Sequence, residues 1–131
     1  SDKGICVLHT IGSILPPQPN APFIQRYIFP DGEIPHESDM AKNIEKSGLI
    51  MSDRETLIRH YDKTLEAWLN RFLKNKHIVK DLFDQKFVKM WEFYLASCSA
   101  AFKYRDLVVF QYQLVKNFDA IPSNRRDYIY S

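Results

Sequence analysis

The chain has 131 residues, of which 45% are hydrophobic and 26% charged. This is the balance of one globular domain and excludes an intrinsically disordered chain. Eighteen Lys and Arg residues against sixteen Asp and Glu give a formal net charge of +2. That charge is too small for the strongly basic class of nucleic-acid-binding proteins, so we expect no nucleic-acid partner. Aromatic residues reach 14% and predict a well-filled core or a surface that meets an apolar partner.

The two cysteines, Cys6 and Cys98, have neither Cys-x-x-Cys nor Cys/His metal-ligand spacing, so no metal site is predicted. The two cysteines could form one long-range disulfide, but the favoured interpretation is that both are reduced thiols in a cytosolic protein. No apolar run approaches the roughly 18–20 residues that span a bilayer. The short apolar stretch near the start lacks the basic flank and cleavage site of a signal peptide. We therefore expect a cytoplasmic protein.

Strand and helix patterns alternate in the first half of the chain. Residues 5–11 form a continuous apolar run that predicts a strand buried on both faces, as in a parallel sheet. Six prolines exclude long regular structure from residues 14–35, but the apolar residues there predict an ordered loop with one helical turn. A short helix is predicted over Glu37–Lys46, ending before Gly48, and a more polar strand over 49–57.

The second half is predicted to be helical up to a last strand. Apolar residues at i, i+3, i+4 and i+7 from Leu65 predict an amphipathic helix that begins near Asp62. A short helix is predicted over 79–83, and a long one over 87–102 keeps helical spacing for four turns. Leu107–Val115 is first apolar and then alternating, which predicts a strand. The polar tail that follows has no predicted structure.

The element order predicts an α/β fold with a small sheet. Glycine-rich phosphate loops, Gly-x-Ser-x-Gly and His-Glu-x-x-His are absent from a sequence with only four glycines. The residues alone therefore name no reaction. They single out His9 in the first strand, Tyr61 at a helix start and Cys98 on an apolar helix face. Packing would equally explain all three, as a core histidine, a helix-start aromatic and a small core thiol.

Four phrases in order carry a resemblance to a known family. They are L-H-T-I-G-S from Leu8, R-Y-I-F-P-D-G-E-I-P from Arg26, H-Y-D-K-T-L-E-A-W from His60, and F-V-K-M-W-E-F-Y-L-A-S-C-S-A-A-F-K-Y-R-D from Phe87. Over residues 4–116 the chain resembles the C-terminal part of the cyclopropane fatty acid synthase and mycolic acid cyclopropane synthase family of S-adenosylmethionine-dependent methyltransferases. It departs from the family at Asp31, where glycine is usual, and at residues 34–36, where Ile-Pro-His replaces Leu-Pro-Ser.

The resemblance implies a class I (Rossmann-like) methyltransferase fold. The three predicted strands would be the fifth, sixth and seventh of a seven-stranded mixed sheet whose last strand is antiparallel. Residues 1–116 would form the C-terminal half of a catalytic domain and 117–131 a polar tail. Because the cofactor-binding half of such a domain is absent from this sequence, we expect the isolated chain to be inactive. The first strand would have an open edge, which predicts homo-oligomerisation or strand exchange.

The resemblance also implies a chemistry. The family transfers a methyl group from S-adenosylmethionine to the cis double bond of a phospholipid acyl chain, and loss of a proton then closes a cyclopropane ring. A bicarbonate ion is the base. By position in the phrases, its ligands here would be His9, the backbone of Ile11, and Tyr61. Cys98 occupies the place of a cysteine with an active-site role, so the predicted catalytic residues are His9, Tyr61 and Cys98. None of the phrases assigns a residue to cofactor binding.

Basic residues concentrate in the helical second half. Residues 1–58 carry five basic and eight acidic groups, and residues 59–131 carry thirteen and eight. This pattern indicates either a solvated helix face or attraction to anionic lipid headgroups, which would place the protein at the membrane surface with phospholipid acyl chains as its partners. Two other functions stay open. One is a non-enzymatic lipid-binding or interaction module from a split gene, and the other is an acyl-chain or amine methyltransferase of the same superfamily.

Overall fold

A computed structural model describes residues 2–130, and its elements follow the predicted order. The strands are β1 (Ile5–Ser13), β2 (Ile50–Leu57) and β3 (Leu107–Val115). The helices are α1 (Pro22–Tyr27), α2 (Glu37–Lys46), α3 (His60–Lys74), α4 (Lys76–Leu82) and α5 (Gln85–Tyr104). Two 3₁₀ turns follow, at Phe118–Ala120 and Arg126–Ile129. No helix among residues 2–130 is long and apolar enough to cross a membrane.

The three strands form one sheet in the order β1-β3-β2, and β3 runs antiparallel to both neighbours. β1 and β2 therefore run parallel to each other, and their carboxyl ends reach the same edge of the sheet. The register makes this explicit, because Ile11 of β1 and Leu57 of β2 both pair with Val109 of β3. The last strand is antiparallel, as the sequence resemblance implies.

β3 is the buried centre of the molecule and separates two apolar clusters. On one side, which we call the α3/α5 face, Val109 packs with residues of those helices: Leu65, Phe72, Val88, Leu95 and Phe102. On the other side, the α2 face, Ile44 of α2 packs with alternate residues of β3: Val108, Phe110, Tyr112 and Leu114. The alternation of a strand between its two faces explains this division.

β1 is longer and far more exposed than the sequence pattern predicts. The strand continues through Gly12 and Ser13, and its apolar residues Ile5 and Val7 are 42% and 66% exposed. The prediction of a strand buried on both faces is therefore wrong for this chain. Within residues 2–130 β3 is the one strand that pairs with β1, so β1 forms the edge of the sheet, and its other side carries only an isolated parallel bridge between Ser13 and His36.

Two non-glycine residues take a left-handed backbone conformation at turns. Arg59 has φ of +63° and redirects the chain from β2 into α3, which begins two residues earlier than predicted. Asp31 has φ of +59° in the loop that follows α1. Only glycine adopts this conformation without steric cost, although aspartate tolerates it better than most residues. A glycine at position 31 would adopt this backbone conformation without that cost.

The tail, for which the sequence predicts no structure, is held on the sheet by polar contacts. Gln113 of β3 donates a hydrogen bond to the Tyr128 hydroxyl at 2.7 Å. The Arg126 guanidinium donates to Asp53 of β2 at 2.8 Å, and this contact holds the pKa of that carboxyl below its usual value. These partners are separated from the tail by up to 73 residues, so local sequence patterns gave no signal for them.

Candidate active site at the strand ends and the α3/α5 face

The first predicted site segment lies near the carboxyl end of β1. His9 pairs with Gln111 and Ile11 with Val109. Because side chains alternate along a strand, His9 and Ile11 point to the same side as Val109, which is the α3/α5 face. His9 is exposed, and its ring forms no hydrogen bond or ion pair with another residue in the described part of the chain.

Tyr61 is the second residue of α3 and follows directly on the turn at Arg59. Its half-buried ring meets the edge of Trp68, with ring centroids 6.0 Å apart, and lies 5.1 Å from the ring of Phe102 on α5. The hydroxyl of Tyr61 has no hydrogen-bond partner among residues 2–130. Leu57, the last residue of β2, and Ile11 of β1 both pair with Val109, on opposite sides of β3. α3 begins soon after Leu57, so its first turn lies near the level of the β1 segment.

Tyr94 and Cys98 lie one turn apart on α5, where the phenol and the thiol influence each other's pKa. Burial raises the pKa of the Cys98 thiol, and the neighbouring Tyr94 phenol offsets only part of that effect. Burial, with smaller contributions from Cys98 and Tyr61, raises the pKa of Tyr94 to about 12. Both groups are therefore neutral at physiological pH, and a neutral thiol is a poor nucleophile.

Tyr94 lies near two of the three predicted site residues, since Cys98 and Tyr61 both contribute to its raised pKa. Tyr94 belongs to the apolar stripe of the long helix, a pattern that by itself indicates packing. The four-residue spacing between Tyr94 and Cys98 was the available signal, since side chains at i and i+4 meet on a helix. His9 lies on the same face of the sheet, but no contact within residues 2–130 joins it to Tyr61 or Cys98.

A buried polar contact fixes α3 against α5 beside these residues. Ser99 donates a hydrogen bond to the Asp62 carboxylate at 2.6 Å, and both side chains are buried. The Lys103 ammonium lies 3.9 Å from the other carboxylate oxygen. Asp62 follows Tyr61 and Ser99 follows Cys98 in the chain, so this contact ties together the two helix segments that carry the site residues.

The remaining cysteine, Cys6, is exposed on β1, and both cysteines are free thiols. Among residues 2–130, no group of three or more His, Cys, Asp or Glu side chains could hold a metal ion.

Tyr94 gives a direct test of this environment. With a pKa of about 12 in the folded state against about 10 when unfolded, its phenol favours the folded state below pH 10, and that contribution disappears as the pH rises from 10 to 12. Because the ring is only half-buried, we expect a loss of no more than about 1 kcal/mol. Absorbance at the phenolate band should show a tyrosine titrating near pH 12 that is missing in Tyr94→Phe, whereas Tyr112, whose pKa is also raised by burial, should still titrate late in that variant. A titration curve that Tyr94→Phe leaves unchanged would contradict the assignment.

The sheet and the helices that cover its strand ends define the chain as part of a class I methyltransferase fold. The cyclopropane synthase MmaA2 from Mycobacterium tuberculosis superposes with a TM-score of 0.81 at 24% identity, over 88% of this chain and 45% of that one. The mycolic acid cyclopropane synthase CmaA1, solved in complex with SAH and CTAB, superposes with a TM-score of 0.78 at 26% identity, over 86% and 44%.

The sequence identifies the family. The profile of the mycolic acid cyclopropane synthetase family matches residues 1–112, and the chain belongs to this family. The cyclopropane-fatty-acyl-phospholipid synthase of Escherichia coli K12 is 37% identical over 109 residues, which cover 83% of this chain and 28% of that protein. The tuberculostearic acid methyltransferase of Mycobacterium tuberculosis is 36% identical over 96 residues, covering 72% and 22%. The chain thus spans less than a third of these relatives, and the family predicted from the four phrases is confirmed.

Proposed function

We propose that this chain supplies the lipid-acceptor side of an S-adenosylmethionine-dependent methyltransferase that acts on the cis double bonds of phospholipid acyl chains. One observation supports this most directly. Ile11, near the carboxyl end of β1, and Leu57, the last residue of the strand that leads to Tyr61, lie at the same level on either side of Val109. In α/β folds, ligands bind at the carboxyl ends of the strands, so this arrangement supports an active site formed by His9, Ile11 and Tyr61.

The reaction moves the methyl carbon from the sulfonium sulfur of S-adenosylmethionine to one carbon of the double bond, and loss of a proton then closes the ring. A bound bicarbonate ion would supply the base for that proton. His9 and Tyr61 fit a small anion because each offers a hydrogen-bond donor that no group among residues 2–130 engages. The backbone of Ile11 is the third proposed ligand, and residues outside this chain would complete the cofactor site.

The groups on α3 and α5 would protect the reacting carbons. The rings of Tyr61, Trp68 and Phe102 lie together and present apolar surface with electron-rich faces, which favours a developing positive charge and excludes water. A thiolate at Cys98 would compete with the double bond for the methyl group. The raised pKa of Cys98 keeps the thiol protonated, so we assign it the role of a neutral wall of the acyl site.

The test is a chimera in which this chain replaces the matching segment of the Escherichia coli relative. We expect the chimera, but not the isolated chain, to form cyclopropane rings in vesicles of unsaturated phospholipid, detected by the high-field proton resonances of the ring. His9→Gln and Tyr61→Phe should each lower the rate about 100-fold, the scale of a misplaced acid–base group.

The same substitutions elsewhere in the chain serve as controls. His77→Gln on α4 and Tyr104→Phe at the end of α5 change exposed side chains and should leave the rate unchanged. Equal rates for the site variants and these controls would refute the assignment of His9 and Tyr61. A methylated amine or a branched chain in place of the ring would instead identify a different methyltransferase of the superfamily.

A further inference from the structure

We propose that the corner between α4 and α5 docks onto an anionic phospholipid bilayer and is the place where the acyl chain enters. We define this α4–α5 corner by Ile78, Leu82 and Phe83, which are 47%, 71% and 60% exposed. Ile78 and Leu82 are four residues apart and lie on one face of α4, and Phe83 directly follows that helix. Adjacent large apolar side chains exposed at a turn favour insertion between lipid headgroups.

The charges around the corner fit an anionic surface. Lys76 is paired with Glu92, and Asp84 is engaged by the Phe87 amide at the start of α5. Four more lysines flank the corner, all exposed and without an ion pair within residues 2–130: Lys74, Lys80, Lys86 and Lys89. Asp81 is the one other acidic residue between positions 74 and 92. Lysines beside exposed apolar residues are the arrangement by which amphipathic segments bind anionic lipids.

An unbroken row of aromatic rings leads from the corner to the candidate site. Phe83 stacks on Phe87 with ring centroids 4.3 Å apart, Phe87 stacks on Trp91 at 5.9 Å, and Trp91 lies 5.1 Å from Tyr94. Tyr94 in turn lies one helical turn from Cys98 on α5. An acyl chain that leaves the bilayer beside Phe83 would therefore contact apolar rings along its whole path. The role of the corner as the entry point of the acyl chain rests on the proposed function, but lipid binding by the corner does not require methyl transfer.

The experiment measures binding of the full chain to vesicles by flotation. We expect binding to phosphatidylglycerol–phosphatidylethanolamine vesicles and much weaker binding to phosphatidylcholine alone. Leu82→Ser with Phe83→Ser should weaken binding about tenfold through loss of apolar contact. Tyr104→Ser with Phe118→Ser is the matched control, because those side chains are 76% and 74% exposed on other surfaces. The emission of Trp91, read in a Trp68→Phe background, should shift to the blue on binding.

A second pair of variants separates the charge contribution. Lys80→Glu with Lys86→Glu should weaken binding at low salt, and Lys42→Glu with Lys46→Glu on α2 should not. Absence of binding to anionic vesicles, or equal loss in the corner variant and its control, would overturn the proposal. Since no step of the assay involves S-adenosylmethionine, a chimera without activity leaves this result intact, and failure of lipid binding leaves the assignment of His9 and Tyr61 intact.

Discussion

Replacement of Ser99 by alanine is expected to lower the free energy of unfolding by about 2 kcal/mol, since it removes a hydrogen bond to a buried carboxylate. The Asp62 carboxylate would lose its donor at 2.6 Å and keep only the Lys103 ammonium at 3.9 Å. A charged group left buried without a close donor still carries the free-energy cost of its removal from water, but it loses the hydrogen bond that offset that cost. Urea denaturation followed by helical circular dichroism gives the change.

Ser97→Ala is the matched control on the same helix. Its hydroxyl donates to the Phe93 carbonyl within α5, a local contact that alanine replaces with better helix propensity, so the expected change is close to zero. Asp62→Asn supplies a second check, because an amide oxygen still accepts the Ser99 hydrogen bond and the loss should be smaller than in Ser99→Ala. Equal losses in Ser99→Ala and Ser97→Ala would contradict the assigned role.

The reactivity of Cys98 reports whether the Ser99–Asp62 hydrogen bond positions the site residues. An exposed thiol reacts at once with an aryl disulfide, so Cys6 provides an internal standard, whereas Cys98 is protected by burial and by its raised pKa. If Ser99 and Asp62 hold α5 against α3, Ser99→Ala should speed the reaction of Cys98 and leave that of Cys6 unchanged. An unchanged Cys98 rate would limit the contact to a purely structural role.

The fold was largely predictable because its elements carry local signals. The helical spacing from Leu65 and the alternation in Leu107–Val115 each record which face of an element is buried, and the structure confirms those elements. β1 shows the limit of such reasoning. Its apolar run predicts burial on both faces, but burial depends on the elements that pack around a strand, and within residues 2–130 Ile5 and Val7 of this edge strand stay exposed.

The candidate site was only partly predictable because it depends on contacts between distant segments. The phrases point to His9, Tyr61 and Cys98, but Tyr94, whose pKa responds to Tyr61 and Cys98, belongs to an apolar stripe in the sequence. From the sequence, Asp62 is an acidic residue in the first turn of a helix, where such residues are common. No sequence pattern indicates that Ser99, 37 residues later, is its hydrogen-bond partner. A polar pair buried between two helices has no sequence period, so only the tertiary structure reveals it.

Gly12 closes the strand segment that carries His9 and Ile11, and Gly12→Ala is expected to destabilise the chain by about 2 kcal/mol. A Cβ atom there would lie 2.4 and 2.6 Å from two ring carbons of Phe110 and 3.1 Å from the Pro35 carbonyl oxygen. Phe110 is fully buried, with the Arg54 guanidinium over its ring at 4.9 Å, so the ring has no space into which to move. The strand end would have to shift instead.

A double-mutant cycle with Phe110→Leu identifies the clash. Leucine lacks the ring atoms that the new Cβ would meet, so Gly12→Ala should cost at least about 1 kcal/mol less in the Phe110→Leu background than in the unmodified chain. Additive losses would mean that the methyl group is accommodated elsewhere and that the clash with Phe110 is not the cause. In the chimera, a shifted strand end would also displace Ile11 and His9, so Gly12→Ala should slow ring formation even at temperatures where the protein remains folded.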